Sequence, residues 1–196
     1  MDTALILAST SRYRRELLER LRLPFTVVAP QVDEAAASDE APAALARRLA
    51  LAKARAVAAR EPQATVIGSD QVAELDGRPL GKPGNHDRAT QQLRAMRGRA
   101  VRFHTAVAVV RVSDAFEQHA MATVTVRFRQ LGDDEIERYL RLEQPYDCAG
   151  SAKCETLGIV LAEAIESDDP TALVGLPLIR TSAMLRAAGL DPLAAP

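Results

Sequence analysis

The stretch Ala4–Arg15, ALILASTSRYRR, points to the fold because it changes from a strand pattern to a helix pattern within three residues. The apolar run Ala4–Ala8 is typical of a buried strand. The hydroxyl residues Ser9–Ser11 follow and are suited to capping a helix, and leucines then recur at helical spacing over Tyr13–Leu21. A strand that leads directly into a helix predicts an α/β protein.

The same alternation of strand and helix patterns continues along the chain. Further strands are predicted over Phe25–Val28, Thr65–Gly68, Val101–Val112, Met121–Phe128 and Ile159–Ile165, and further helices over Pro42–Arg60, Asn85–Arg97, the segment after Gly132, and Leu178–Ala188. Asp76-Gly77 has the chemistry of a tight hairpin turn. These patterns predict a mixed, twisted sheet with flanking helices, in which residues 1–196 form one domain with two lobes around a central cleft.

The composition excludes several classes of protein. The chain has 196 residues, 47% of them hydrophobic, with 25 basic and 26 acidic residues and a net charge of −1. No net field therefore attracts nucleic acid or a membrane surface, and neither is expected as a partner. Met1–Leu7 lacks the basic start of a secretory signal, and Cys148 and Cys154 make no disulfide framework. A cytoplasmic location is expected, with both thiols as packing residues.

The junction between the first strand and its helix is a candidate anion site. The free backbone N–H groups and partial positive charge of a helix start attract phosphate. Arg12, Arg14 and Arg15 add guanidinium groups at the same point, beside the hydroxyls of Ser9 and Ser11. A solvated basic helix start with capping serines explains the same residues equally well.

Three carboxylates are candidates for a metal site. Asp70 follows the apolar strand that ends at Gly68, which is where open α/β sheets keep reactive groups. Asp33 and Glu34 form an acidic pair after the second strand, and magnesium prefers a few carboxylates plus substrate oxygens. A capping aspartate and an exposed acidic turn are the competing interpretations.

Two weaker segments complete the candidates. Gly81-Lys82-Pro83 offers a lysine to a phosphate, and the small residues of Asp147–Glu155 allow a second wall to approach a ligand, with Lys153 and Glu155 facing it. Solvated side chains explain both segments as well. The chain contains no Walker loop, so the anion site is of another type. It also contains no nucleophilic serine elbow, and the three histidines are not spaced as in a catalytic triad, so nothing points to covalent catalysis. Phosphate binders with carboxylates instead indicate metal-assisted attack by water.

Taken in order, these segments resemble the signature of the Maf family. The matching segments are Leu5–Ser11 with Arg14-Arg15, Val32-Asp33-Glu34, Arg48-Leu49-Ala50 with Lys53-Ala54, Gly68–Gln71, Gly81-Lys82-Pro83, Phe103-His104-Thr105, Tyr139, Cys148–Ser151, Leu157-Gly158-Ile159 and Gly175-Leu176-Pro177. They span nearly the whole chain. The resemblance implies an ITPase-like fold and hydrolysis of a nucleoside triphosphate to a monophosphate and pyrophosphate, with a divalent metal ion, magnesium or manganese.

The resemblance also implies roles for individual residues. Asp70 would be the catalytic acid–base residue, and Glu34 and Asp70 would bind the metal. The substrate would be bound by Ser9, Tyr13, Arg14, Lys53, Gln71, Lys82, Lys153 and Glu155, with Tyr13, Gln71 and Glu155 setting base specificity. Gln71 after Gly-Ser-Asp, and Glu155, resemble the branch of the family that acts on 7-methyl-GTP.

The chain departs from the family pattern at three positions, and the sequence leaves several functions possible. Arg12 replaces a usual proline, Ala152 an aromatic residue, and Cys154 a more common serine. The alternatives to 7-methyl-GTP hydrolysis are a dTTP/UTP pyrophosphatase, a nucleotide-binding regulator of cell division without turnover, and a general phosphatase that releases orthophosphate. A nucleoside triphosphate is the expected partner, and a homodimer is one possible assembly, since the sequence leaves the oligomeric state open.

Overall fold

The structure is a computed structural model that describes residues 4–194. Residues 1–3, which belong to the segment considered above as a secretory signal, and residues 195–196 lie outside this range. The strands are β1 Leu5–Ala8, β2 Thr26–Val28, β3 Thr65–Leu75, β4 Arg78–Leu80, β5 Ala100–Arg111, β6 Phe116–Phe128 and β7 Ala162–Glu166. The α-helices are α1 Arg12–Glu19, α2 Pro42–Ala58, α3 His86–Met96, α4 Asp133–Glu143 and α5 Leu178–Ala187.

The described strands form one mixed sheet. Its order is β2-β1-β3-β5-β6-β7, and β4 pairs with the far end of β3 through the predicted hairpin turn at Asp76-Gly77. β1 runs parallel to β2 and to β3, whereas the other pairs are antiparallel. The predicted α/β class with a mixed sheet and flanking helices is confirmed. The organisation of residues 1–196 as one domain stays a prediction.

The helices cover the sheet through separate apolar clusters. α1 and α5 pack on one face of β1 and β3 with Leu17, Leu18 and Leu185, and α3 and α4 pack farther along β5 and β6 with Leu93 and Leu140. α2 covers the opposite face of β3 and β5. Within residues 4–194, no helix has both the length and the apolar character that a membrane crossing needs.

The helical spacing of Leu45, Leu49, Ala52 and Ala56 predicts that they form the buried face of α2, and the structure differs from this. Leu45 and Leu49 are buried as expected, but Ala52 and Ala56 are only partly buried. The deepest contact is made instead by Ala50 and Ala54, whose backbone lies against Gly68 so closely that a Cβ there would overlap it. Since alanines flank the contact, the helix approaches the sheet at this point, and Lys53 lies on the buried face.

Three strand predictions were wrong in extent. The third strand does not end at Gly68 but continues to Leu75, because β5 pairs with Ser69, Asp70 and Gln71 and satisfies their backbone groups. The strand predicted over Met121–Phe128 begins earlier, at Phe116, because this part also pairs with β5. Ile159–Ile165 is a strand only from Ala162 onward, and its first part belongs to a short 3-10 helix, Leu157–Leu161. In all three places pairing with another strand, which sequence periodicity does not reveal, sets the boundary.

Candidate active site

A cleft of about 740 Å³ opens where β1 ends and β3 continues. The last parallel pair of the two strands is Ala8 with Gly68, so the chain from Ser9 onward and the residues from Ser69 onward diverge around the opening. The predicted site residues that line it are Ser9, Tyr13, Arg14, Glu34, Lys53, Asp70, Gln71, Lys82 and Glu155. Residues from six separate parts of the chain therefore meet in one cavity.

The centre of the cleft holds a lysine between two carboxylates. Lys53 Nζ lies 2.6 Å from Asp70 Oδ1 and 2.7 Å from Glu34 Oε1. Lys53 and Asp70 are 5% and 8% exposed, whereas most of the Glu34 side chain is exposed. The Lys53 hydrogen bond lowers the pKa of Glu34 despite partial burial, and the charges of Lys53, Lys82 and Arg14 add to this lowering.

The start of α1 forms the wall beside this centre. Ser11 caps the helix by accepting from the Arg14 backbone N–H, and Ser9 Oγ accepts from the Ser11 N–H at 3.1 Å. Arg14 Nε donates to the Gly175 carbonyl at 2.9 Å, and Nη1 lies 3.5 Å from Ser9 Oγ. Burial lowers the pKa of Arg14, while Asp70 and Glu34 oppose that shift. The guanidinium is thus held in place facing the cleft.

The opposite end of the cleft carries a different set of charges. The Tyr13 hydroxyl lies 3.3 Å from Asp147 Oδ2 and accepts from Arg12 Nη2 at 2.8 Å, and the Arg12 guanidinium lies over the Tyr13 ring. Asp147 Oδ1 is 3.3 Å from Lys153 Nζ. Burial raises the pKa of Asp147, but the hydrogen bond and charge of Lys153 outweigh it, so that pKa is lowered overall.

Glu155 also lines the cleft, and the surroundings of its carboxylate disfavour the charged form, unlike those of Asp147. Desolvation by surrounding protein raises its pKa, and repulsion from Glu143 and Asp147 adds to the rise against the attraction of Lys153. A carboxylate whose charge is not compensated favours a cationic ligand. This end of the cleft is therefore suited to a group that carries positive charge or N–H donors.

Some sequence expectations about the site were incomplete. Lys153 does not line the cleft but is buried behind Asp147, and Asp33 accepts from the backbone N–H of Ala35 instead of joining Asp70. Asp147 itself, which received no role from the sequence, lines the cleft. Its place at the head of the segment Asp147–Glu155 was the signal that pointed to it.

The donor set at the centre fits a divalent cation shared with a ligand. Within residues 4–194, no group of three or more His, Cys, Asp or Glu side chains is arranged to hold a metal by itself. Glu34 and Asp70 nevertheless lie close to each other, because both contact the Lys53 ammonium. Two carboxylates that need further oxygens from a phosphate chain are typical of magnesium sites.

Fold and cleft together define an α/β protein with a cationic and carboxylate-lined site for a phosphorylated ligand. The chain belongs to the Maf family, because the family model described as Maf-like protein matches residues 4–188. The family resemblance seen in the sequence is therefore confirmed.

Individual relatives agree with this assignment. The chain is 65% identical over 191 residues to a 7-methyl-GTP pyrophosphatase of Albidiferax ferrireducens, covering 97% of this chain and 96% of the relative. It is 60% identical over 190 residues to the protein of the same name from Bordetella pertussis, covering 96% and 94%. Among solved structures, the Staphylococcus aureus Ham1 protein matches with a TM-score of 0.48 and 17% identity, over 65% of this chain and 73% of that one.

Proposed function

We propose that this protein hydrolyses 7-methyl-GTP to 7-methyl-GMP and pyrophosphate. The observation that carries the proposal is the contact of buried Lys53 with buried Asp70 and exposed Glu34, in the same cleft as Arg14. It joins a carboxylate able to act on water with cations able to bind a phosphate chain. The name shared by relatives at 60–65% identity supports the choice of substrate.

The chemistry follows from the positions of the side chains. Asp70 accepts a proton from a water molecule whose oxygen forms a bond to the α-phosphorus. The bond from that phosphorus to the bridging oxygen breaks, and pyrophosphate leaves with the electron pair. Arg14 and Lys82 lie where they offset the negative charge of the phosphates, and Lys53 keeps Asp70 and Glu34 together. Positioning and charge stabilisation suffice, so that no covalent intermediate is needed.

Glu34 and Asp70, together with phosphate oxygens, are the residues that would hold Mg²⁺ or Mn²⁺. When bound, such an ion supplies neutralisation of the phosphate charge. The metal requirement is part of the proposal and is tested by removing divalent ions with a chelator and restoring them one at a time.

We assign the preference for 7-methyl-GTP to the end of the cleft lined by Tyr13, Asp147 and Glu155, which we call the base end. A guanine methylated at N7 is cationic, and Glu155 and Asp147 present carboxylates at the end of the cleft away from Lys53. Attraction between opposite charges favours the methylated base over neutral bases. Tyr13, half-buried beside Asp147, offers an aromatic face for stacking.

A substrate panel in ¹⁸O-labelled water tests the proposal. We expect 7-methyl-GTP to be turned over faster than dTTP, UTP, CTP and ITP, with the label in the monophosphate because water attacks the α-phosphorus. Faster turnover of dTTP or UTP would replace the substrate, and release of orthophosphate would indicate a phosphatase. Binding without any turnover would make the protein a nucleotide-binding regulator. The possible homodimer and the expected cytoplasmic location stay predictions, open to light scattering and to imaging of a tagged protein.

A further inference from the structure

One wall of the cleft is an irregular segment held by side chains of the sheet. We call the segment Ala172–Gly175 the wall segment; its residues Leu173, Val174 and Gly175 line the cleft. Three sheet or helix side chains reach its carbonyl oxygens: Gln71 Nε2 reaches Ala172 and Leu173 at 2.9 and 3.0 Å, Ser69 Oγ reaches Gly175 at 3.0 Å, and Arg14 Nε reaches Gly175 at 2.9 Å. The position of this wall therefore depends on hydrogen bonds from other elements.

Thr105 is a further member of this network. It is fully buried on β5, directly opposite Gln71 on β3, and it does not line the cleft. Its Oγ1 lies 2.9 Å from the Ala172 carbonyl and 3.0 Å from Gln71 Nε2. The hydroxyl is thus in contact with both the wall segment and the side chain that holds it.

The Gln71 amide has two hydrogens for three nearby acceptors, Thr105 Oγ1 and the carbonyls of Ala172 and Leu173. A carbonyl only accepts, so the Thr105 hydroxyl must donate to Ala172, and its lone pair is left to accept from the Gln71 amide. The amide hydrogens of Gln71 are shared with the Ala172 and Leu173 carbonyls. Rotating the amide by half a turn would place its oxygen against these carbonyl oxygens, so the carbonyls fix which way Gln71 points. Thr105 adds a hydrogen bond to the wall segment and a contact to the amide that holds it.

The end of the wall segment that this network holds belongs to the apolar part of the cleft. Leu173 packs with the cluster that also contains Leu80, Phe103, Ala149 and Ala152, all of which line the cleft. An apolar surface of this kind accepts the flat face of a nucleobase, whereas the phosphates require the cations at the other end. A shift of Leu173 would change the space available to the base and leave Lys53 and Asp70 in place.

We propose that Thr105 is a positioning residue for base recognition, which acts through Gln71 and the wall segment without touching the nucleotide. The inference rests on the proposed function for the identity of the base. Because Thr105 is shielded from the cleft, a change in base preference on its substitution has to be transmitted by the wall.

The test compares Thr105→Val, which keeps the shape and removes the hydroxyl, with Thr105→Ser, which keeps the hydroxyl. The two readouts are the ratio of Kd values for 7-methyl-GMP and GMP, measured by calorimetry, and the ratio of kcat/KM for the corresponding triphosphates. We expect Thr105→Val to reduce both ratios about tenfold, since the Ala172 carbonyl and the Gln71 amide each lose one of their hydrogen-bond partners, with kcat for 7-methyl-GTP changed less than about threefold. Thr105→Ser should restore the ratios. Thr125→Val, the same substitution on β6 away from the cleft, is the matched control.

The possible results separate this inference from the proposed function. If Thr105→Val folds with the wild-type circular dichroism spectrum and keeps both ratios, the inference is wrong even though the enzyme is active. If the wild-type protein binds the monophosphates but shows no turnover, the proposed function fails, and the ratio of Kd values still decides the inference. If Thr105→Val does not fold, Thr105→Cys, a weaker donor of similar size, takes its place under the same expectation.

Discussion

The two ends of the cleft are built differently. At the phosphate end, Lys53 and Asp70 are buried on regular elements, α2 and β3, and contact each other directly. At the proposed base end, Asp147 and Glu155 are exposed on an irregular stretch between α4 and β7, and Asp147 contacts Lys153, Tyr13 and Cys148 through its side chain. The proposed reacting groups are thus fixed by the packing of helix against sheet, whereas Asp147 is held by side-chain contacts alone.

This contrast indicates how sensitive each end is to substitution. A buried pair on packed elements has no room to adjust, so changes there should affect rate and folding strongly. An exposed pair on an irregular segment is weakened by solvent, so changes there should alter preference by small factors. Four experiments test the contrast, from the largest expected effect to the smallest.

Asp70→Asn removes the proposed proton acceptor with little change of shape. We expect kcat to fall by about a thousandfold, because an amide does not take a proton from water. Thermal unfolding should stay cooperative, since Lys53 keeps its contact with Glu34. Steady-state release of pyrophosphate measures the effect, with the surface change Asp114→Asn as control. A rate equal to that of the wild type would remove Asp70 from the mechanism.

Gly68→Ala tests whether close approach of α2 positions Lys53. The added Cβ would overlap the Ala50 carbonyl and come within 2.6 Å of the Ala54 nitrogen, both backbone atoms. We expect a loss of about 3 kcal/mol in the free energy of unfolding, because backbone cannot move aside as a flexible side chain does. Urea denaturation measures it. Gly81→Ala, whose Cβ would meet nothing within 4 Å, should change stability little; equal losses in both variants would argue against the close contact.

Glu155→Gln tests the charge at the base end through pH. The pKa of Glu155 is raised by desolvation, and a cationic base favours the ionised form, so binding of 7-methyl-GMP should strengthen as pH rises through this pKa and level off above it. Asp147, with its lowered pKa, is already ionised there. We expect calorimetry between about pH 4 and pH 6.5 to show this rise for the wild type. Glu155→Gln should lose it, with about tenfold weaker binding at the upper pH.

GMP is the matched ligand for that experiment, because it carries the same phosphate on a neutral base. Its affinity should change with pH in the same way in wild type and variant. A rise for 7-methyl-GMP that survives in Glu155→Gln would assign the charge recognition to another group.

Tyr13→Phe should have the smallest effect. It removes the hydroxyl that contacts Asp147 and Arg12 but keeps the ring, and Lys153 still holds Asp147. We expect KM for 7-methyl-GTP to rise about two- to threefold with kcat unchanged, as for a solvent-exposed hydrogen bond. Initial-rate kinetics separate the two constants. A large fall in kcat would mean that the hydroxyl acts on the reacting phosphate.

Sequence patterns predicted those parts of the molecule that depend on neighbouring residues. The capping serine of α1 and the Asp76-Gly77 turn are local features, and both are confirmed. The spacing of Ala89, Leu93 and Met96 likewise predicts an inward face for the helix Asn85–Arg97, and all three are buried. The family resemblance also implied that Arg14, Lys53 and Asp70 bind one substrate, and all three line the cleft.

Other features depend on contacts between distant segments. Ser69-Asp70-Gln71 interrupts the apolar pattern of β3, yet pairing with β5 keeps the strand extended to Leu75. In the sequence, Lys53 looks like a lysine on the solvent side of a helix. In the structure it is buried, because Ala50, Ala54 and Gly68 let α2 approach the sheet closely. Lys153 was expected in the cleft and lies behind Asp147.

By itself, the sequence determined the α/β class, the order of the helices and strands and the residue types available for phosphate chemistry, because each of these follows from periodicity and composition along the chain. Only the tertiary structure decided that Lys53 lies between Asp70 and Glu34, that Lys153 supports Asp147, and that Thr105 joins Gln71 to the wall segment. The reason is physical: burial and hydrogen bonding depend on which segments meet in space, and segments far apart in the chain meet only once the sheet has formed.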